Sequence, residues 1–248
     1  MASTYSTDLS LELVTTGEKA GLWGTITNTN LQILQTASSG FTSLTLSTGN
    51  TTLSLADGSA SANGKNFYIK LTGTLAGNCT VTMPASTTGG TANRVFIIED
   101  ATTRTTSNFT IGVLTTGQAS ETPVPVGSTL LLVSDGANTL TSIGIMSKGY
   151  NSISDTNSPY LSVAGDQIIV DTTTNPVTVT LPASPSVGDE VTIIDGFNFF
   201  ASNNCVVGNN GNNILGAASA LTLSTNRQAI TLVYVNATQG LTYKTNTA

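Results

Sequence analysis

The first apolar pattern along the chain is a short alternation. Leu9, Leu11 and Leu13 are apolar, whereas Ser10 and Glu12 between them are polar. A period of two is typical of a β-strand, in which successive side chains point to opposite faces. We therefore expect a short strand or an extended arm at the start of the chain.

A helix is predicted after this arm, from about Thr25 to Ala37. The glycine-containing segment 16–24 separates the two elements. The apolar residues that share one side of the helix, with Trp23 one turn ahead of them, are Ile26, Ile33, Leu34 and Ala37. Asn30 interrupts that side. A helix of this length is marginal alone in water, so it needs a surface to dock against.

The rest of the chain contains an internal repeat of four blocks, which is its strongest pattern. The blocks align 79–86 with 177–184 (177 − 79 = 98), 94–99 with 190–195 (190 − 94 = 96), 109–111 with 205–207 (205 − 109 = 96), and 130–141 with 231–242 (231 − 130 = 101). This alignment places Ile97 on Ile193, Glu99 on Asp195 and Leu131 on Leu232. Four blocks in the same order indicate a duplication.

The duplication predicts a mainly β protein, in which a short N-terminal arm and helix precede two tandem, duplicated domains of the β-sandwich or barrel-like type. The expected boundaries are 1–40 for the arm and helix, 41–147 for the first β-domain and 148–248 for the second. Each copy is about 85 residues long, which is too long for the repeat of a solenoid. Pro84 and Pro182 are expected to end their strands, because proline has no N–H to donate. The predicted core residues are Val81, Met83, Ile97, Val179, Leu181 and Ile193.

Composition narrows the function classes. Hydrophobic residues make up 39% of the chain and charged residues only 9%, and the formal net charge is −6. Eight lysines and arginines without a cluster argue against binding nucleic acid. No apolar run approaches the length that spans a membrane, and no signal peptide is visible, so we expect synthesis in a cytoplasm. The chain has no histidine, which argues against histidine-based nucleophile systems and the commonest zinc ligand.

The acidic residues give no convincing catalytic or metal site. Glu99-Asp100 and Asp189-Glu190 are the adjacent acid pairs, but neighbouring strand residues point to opposite faces, so neither pair spans a sugar as a glycosidase requires. The aspartates considered as Ca²⁺ ligands are Asp166, Asp171, Asp189 and Asp195, and their spacing does not support a site. Cys79 and Cys205 fall on apolar positions of the repeat and are interpreted as core residues. We expect no enzyme activity, no cofactor and no metal.

The segment 17–31, GEKAGLWGTITNTNL, resembles the opening of many bacteriophage tail-fibre and other virion structural proteins. Their pattern G-x-W-G-x-x-x-N-x-N-φ, with φ apolar, is matched by Gly21, Trp23, Gly24, Asn28, Asn30 and Leu31. Residues 166–243 also resemble modules in fibre and structural proteins of marine phages, particularly cyanophages, through VTVTLPASPSV at 177–187 followed by GDEV. The resemblance implies a virion component, often a trimer, whose N-terminal segment attaches to the particle.

The leading hypothesis is therefore a structural protein exposed on the virion surface, tail-fibre-like or appendage-like. It would form a homo-oligomer, bind other virion proteins, and dock through residues 1–40, which we call the anchor segment. The candidate docking residues are Leu9, Leu11, Leu13, Gly21, Trp23, Gly24, Ile26, Asn28, Asn30, Leu31, Ile33 and Leu34.

Two other functions stay open from the sequence. One is a capsid decoration or head-fibre protein. The other is a module that binds a host glycan through aromatic side chains of the second half, namely Tyr150, Tyr160, Phe197, Phe199 and Phe200.

Overall fold

The chain forms a mainly β structure with one N-terminal helix, arranged as a β-solenoid of about 5 turns. This computed structural model describes residues 4–84, 86–87, 90–104, 109–136 and 140–247. Two compact units are present. Unit 1 comprises Met1–Thr103, Ile111–Val124 and Thr129–Met146, and unit 2 comprises Arg104–Thr110, Pro125–Ser128 and Ser147–Ala248.

The N-terminal part of unit 1 contains a small hairpin and the helix. Strands β1 (Thr4–Tyr5) and β2 (Glu12–Leu13) pair antiparallel, and helix α1 spans Trp23–Ser39. The expected alternating strand over 9–13 is reduced to its last two residues, because residues 7–9 form a turn. The helix starts two residues earlier than expected and ends two residues later. Among the described residues, no helix is both long enough and apolar enough to cross a membrane.

Two sheets form the body of unit 1. The strands from Phe41 onward are β3 (Phe41–Thr45), β4 (Gly49–Thr52), β5 (Tyr68–Thr72), β6 (Thr74–Leu75), β7 (Cys79–Met83), β8 (Ser86–Thr87), β9 (Gly90–Asp100), β10 (Thr103–Arg104), β11 (Ile111–Thr115), β12 (Thr122–Val124), β13 (Thr129–Gly136) and β14 (Leu140–Ser147). One sheet has the order β14-β13-β9-β5-β3 and the other β12-β11-β7-β4. In the first sheet β3, β5 and β9 are parallel and β13 is antiparallel to β9. In the second sheet β4, β7 and β11 are parallel and β12 is antiparallel to β11.

Unit 2 repeats this arrangement. Its strands are β15 (Asn151–Ile153), β16 (Tyr160–Leu161), β17 (Gln167–Val170), β18 (Val177–Thr180), β19 (Glu190–Asp195), β20 (Cys205–Gly208), β21 (Leu221–Leu223), β22 (Ala229–Asn236) and β23 (Gly240–Asn246). The sheet orders are β15-β17-β19-β22-β23 and β16-β18-β20-β21. Strand for strand, these are the orders of unit 1. A common strand order is what the duplication predicts.

The alternating strands supply the core of each unit. In β7 and β18 the apolar residues point inward and the threonines are half-buried, so each strand contributes one face. All six predicted core residues, Val81, Met83, Ile97, Val179, Leu181 and Ile193, are buried, which confirms that prediction. Cys79 and Cys205 are also buried free thiols. Burial raises the pKa of Cys205 to about 12, as expected for a core residue rather than a reactive one.

The predicted sandwich or barrel-like domains are wrong, because the chain coils. In the first sheet, Phe41 of β3 pairs with Tyr68 of β5, and Tyr68 pairs in turn with Ile97 of β9. The spacings are 27 (68 − 41) and 29 (97 − 68) residues, within the range of a solenoid repeat. The duplication of about 85 residues is thus a repeat of several coils. The spacing of a single coil was not recognised in the sequence, because the coils share an alternation of apolar residues but no common motif.

The register of the predicted alignment is correct in the first block and shifted in the others. Buried Ile98 pairs with Ile69, and buried Ile193 pairs with Ile168, so Ile98 rather than Ile97 is the counterpart of Ile193. By the same logic, the remaining corrected counterparts are Asp100 for Asp195, Ile111 for Cys205 and Leu132 for Leu232. When a strand has apolar residues on both faces, its sequence matches its repeat almost equally well after a shift of one residue. Only the burial of the side chains then shows which residues face the core.

Candidate functional site

The arm of the anchor segment is a compact hairpin. Ser6 donates its N–H to Leu11 O at 2.9 Å, and Leu11 donates its N–H to Ser6 Oγ at 2.9 Å. Ser10 lies at the turn with a positive φ of 54° and is fully buried. These bonds close the turn and place Leu9 and Leu11 half-buried, whereas Leu13 is exposed. The three leucines therefore do not form one face of a strand.

Hydrogen bonds fix the arm to the body of unit 1, and one of them joins Ser10 Oγ to Leu55 O at 3.5 Å. Gly58 donates its N–H to Ser10 O at 2.9 Å, and Asn93 donates its N–H to Asp8 Oδ1 at 3.1 Å. The burial of Ser10 was not predicted, because a serine that alternates with leucines is typical of the solvent-facing side of a strand. Its burial shows that the hairpin packs against unit 1.

Asn30 connects the arm to the helix. Its Oδ1 accepts the N–H of Glu12 at 3.0 Å, and its Nδ2 donates to Glu12 O at 2.9 Å. The amide thus makes the two bonds that a neighbouring strand would make to Glu12. Lys19 adds an ion pair to Glu12 at 3.0 Å. Asn30, which interrupts the apolar side of the helix, therefore holds the arm against the helix.

Helix α1 has a buried side and an exposed apolar stripe. Ile26 and Ile33 are buried, and Ile33 has no exposed surface. Trp23, Leu31 and Leu34, which we call the α1 stripe, are 63%, 57% and 43% exposed. At 100° per residue these three lie within about 80° of one another on the helix. The sequence placed Leu34 with Ile26 and Ile33, whereas the structure places it with Trp23.

The remaining candidate docking residues flank this stripe. Gly21, Gly24 and Asn28 are exposed, and Gly21 has a positive φ of 79° just before the helix starts. A pocket of about 240 Å³ lies where the arm meets the helix. Its lining residues are Glu12, Leu13, Val14, Trp23, Ile26, Thr27 and Asn30.

The acidic residues weighed from the sequence are used for structure. Glu99 accepts the Tyr68 hydroxyl at 2.7 Å and pairs with Lys70 at 3.1 Å, and these partners hold the pKa of Glu99 below its ordinary value. Glu190 pairs with Lys244 at 2.6 Å. Within the described ranges, no group of three or more cysteine, aspartate or glutamate side chains is arranged to hold a metal.

Two aspartates of unit 2 organise loops, which the sequence did not reveal. Asp195 Oδ1 accepts the N–H groups of Phe197, Asn198 and Phe199, and its Oδ2 accepts those of Phe200 and Arg227. Buried Asp166 accepts the Tyr160 hydroxyl at 2.9 Å and the Val163 N–H at 2.9 Å. Desolvation raises the pKa of Asp166 to about 6 and that of Tyr160 above its ordinary value.

The aromatic residues proposed for a glycan site are divided by the structure. Tyr160 and Phe200 are buried, so they are core residues and cannot contact a sugar. Tyr150, Phe197 and Phe199 are exposed.

Comparison with known proteins adds little. No protein-family model matches this chain, and no curated protein matches it. One similar solved chain belongs to a structure described as "Structure of a chaperone-substrate complex", with 16% identity and a TM-score of 0.37. The match covers 79% of this chain and 32% of the other, so this chain spans about a third of its length. At that TM-score the likeness carries no argument about fold or function.

Proposed function

We propose that the chain is a structural component of a bacteriophage particle, exposed on the virion surface as a tail-fibre-like or appendage protein and docked through its anchor segment. The observation that supports this most is the α1 stripe. A tryptophan and two leucines on one helix, each more than two-fifths exposed, form a surface that water does not favour. The partner in this proposal is another virion protein.

The anchor segment has the rigidity that a docking element needs. Ile26 and Ile33 hold the inner side of α1 against unit 1, and Asn30 holds the arm. The α1 stripe is therefore presented by a fixed helix, and docking does not have to order it first. Trp23 is the expected centre of the contact, since tryptophan is enriched among residues that dominate interfaces.

The test is incorporation of variants into particles. Trp23→Ala and the double change Leu31→Ala with Leu34→Ala remove exposed side chains, so the melting temperature should stay within a few degrees of the wild type. Incorporation should fall at least tenfold for Trp23→Ala, as expected for an interface residue worth about 2 kcal/mol. Deletion of residues 1–40 is a poorer test, because it also removes Ile33 and Ser10 from the packing of unit 1.

The matched control is Tyr150→Ala, which removes an aromatic side chain of similar exposure from unit 2. It should leave incorporation unchanged. Wild-type incorporation of both α1-stripe variants, with folding intact, would refute docking through this segment. A loss that Tyr150→Ala shares would place the contact elsewhere or point to a general effect of aromatic loss.

A further inference from the structure

The strand that begins the first sheet of unit 1 has a free edge. β3 lies at the end of the sheet order and pairs with β5 on one side. Tyr68 donates its N–H to Gly40 O and Leu46 donates to Thr72 O, so the even-numbered residues of this strand face β5. Phe41, Ser43 and Thr45 therefore direct their N–H and C=O groups away from β5. In the part of the chain that the structure describes, no strand pairs with that side.

Unit 2 provides an internal comparison. Its equivalent strand, β15, has three residues instead of five, and only Ser152 directs its backbone outward, since Ile153 O accepts the N–H of Asp171. A very short edge strand is one way in which proteins avoid pairing with other chains. β3 has no such protection. Residues 40–47, GFTSLTLS, include no charge and no proline, and the pairing of β3 with β5 runs without a bulge.

The core position beside this edge is also incompletely covered. Leu44 pairs with buried Leu71 and is half-buried. Its counterpart Ile153 pairs with buried Val170 and is buried. The same fold thus covers this position in unit 2 and leaves it partly open in unit 1. On the opposite face of the sheet, Phe41 stacks on Tyr68 with ring centroids 5.6 Å apart and remains 60% exposed.

We propose that β3 pairs antiparallel with β3 of a second copy of this chain, about a two-fold axis at Ser43. The outward residues are symmetric about Ser43, so an antiparallel copy places Ser43 opposite Ser43 and Phe41 opposite Thr45. Residues opposite each other in such a pair exchange both backbone bonds, so all three outward N–H and C=O groups of each strand are satisfied. Leu44 then lies across from Thr42 of the second copy, which covers it.

A second copy fits this edge better than a charged partner. β3 carries no charge, so two chains of net charge −6 meet there without a like-charged pair. The two-fold pairing also closes on itself, whereas pairing of β3 with a different edge strand of another copy would continue into a filament. It differs from the trimer that the phage resemblance implies. It does not depend on attachment to a particle.

The first test is a proline at the centre of the edge. Ser43→Pro removes an outward N–H and leaves the pairing with β5 intact, which is the position in a sheet where proline is tolerated. Ser152→Pro is the matched control, because Ser152 is the equivalent exposed serine of unit 2. Analytical ultracentrifugation of the full chain should show a dimer for the wild type and for Ser152→Pro. For Ser43→Pro the dissociation constant should rise at least tenfold.

The second test detects the register directly. Opposed residues in a bonded antiparallel pair have Cα atoms about 5.5 Å apart, which suits a disulfide. Ser43→Cys should therefore give a covalent dimer under mild oxidation, and Ser152→Cys should not. The native thiols do not interfere, because Cys79 and Cys205 are buried.

Three results would overturn the proposal. One is a wild-type chain that stays monomeric over the whole accessible concentration range. Another is a dimer that Ser43→Pro does not weaken while the Ser43→Cys chain fails to cross-link. The third is a trimer or an open-ended polymer, which would show that copies meet through another surface.

Discussion

Asp195 offers a quantitative test of how unit 2 is held together. Its carboxylate accepts five backbone N–H groups, the shortest from Asn198 and Arg227 at 2.8 Å. Asp195→Asn keeps the shape but replaces one oxygen by an NH₂ group, which cannot accept. If Oδ1 keeps its three donors, the N–H groups of Phe200 and Arg227 lose their acceptor. Hydrogen bonds to a charged group contribute about 1.5–3 kcal/mol each, and part of this is recovered by water. We therefore expect a loss of about 3 kcal/mol in the free energy of unfolding of unit 2.

The control and the assay follow from the same geometry. Asp171 of unit 2 accepts one backbone N–H, from Thr173 at 2.9 Å, so Asp171→Asn should cost about 1 kcal/mol or less. Urea unfolding followed by circular dichroism gives the free energies, and hydrogen exchange assigns the transition to unit 2. For a unit of about 100 residues, 3 kcal/mol corresponds to a decrease of about 15 °C in melting temperature. If Asp195→Asn and Asp171→Asn differ by less than 1 kcal/mol, the carboxylate does not hold the loop.

Two further predictions concern the interior of unit 2. Val179→Asp or Ile193→Asp buries an unpaired charge at a position with no exposed surface and should unfold unit 2, since the cost is several kcal/mol; a protease-resistant unit 2 would contradict this. Because of the titration of Asp166, the free energy of unfolding of unit 2 should fall as the pH rises from about 4 to 6. The unfolded chain loses this proton near pH 4, whereas burial raises the native pKa to about 6, so the native state binds more protons in between. The loss should reach at most about 3 kcal/mol and level off above pH 6, and Asp166→Asn should abolish the difference in urea midpoints; an unchanged slope in the variant would assign the effect to another group.

The features predicted well from the sequence are those that a period of two encodes. Val81 and Val179 alternate with threonines, and such a strand has only one apolar face to bury. The helix was also predicted with its approximate bounds, and Ile26 and Ile33 were placed on one side of it, although as docking residues rather than buried ones. These predictions needed no knowledge of which strands are neighbours.

Solenoid coiling could not be predicted, because it is a property of pairing between distant residues. Phe41, Tyr68 and Ile97 lie side by side in one sheet, yet nothing in their residue types marks them as equivalent. Some inner positions are better matched, as in the pairs Leu44–Leu71 and Ile69–Ile98. The duplication was visible because whole blocks had kept their order, and that longer signal led to the wrong domain type.

The candidate site was only partly predictable for a related reason. Apolar residues of a short helix next to a tryptophan suggested one docking face, but Ile33 is buried and Leu34 is exposed although they are adjacent. In the sequence Asn30 only interrupts that apolar face, whereas in the structure it makes two hydrogen bonds to the backbone of Glu12. A side chain that satisfies a distant backbone leaves no periodic signal, because its partner can lie anywhere in the chain.

Because of the duplication, the two units can be compared position by position. Both have the same strand order, so a feature that only one unit has is not required by that order. Leu44 and Ile153 occupy one such position, and only Leu44 is left partly open. β3 and β15 occupy another, and β3 has five residues whereas β15 has three. Because the fold itself accepts the shorter, covered version, these differences in unit 1 are not requirements of the fold. They are the features that an additional chain at that edge would explain.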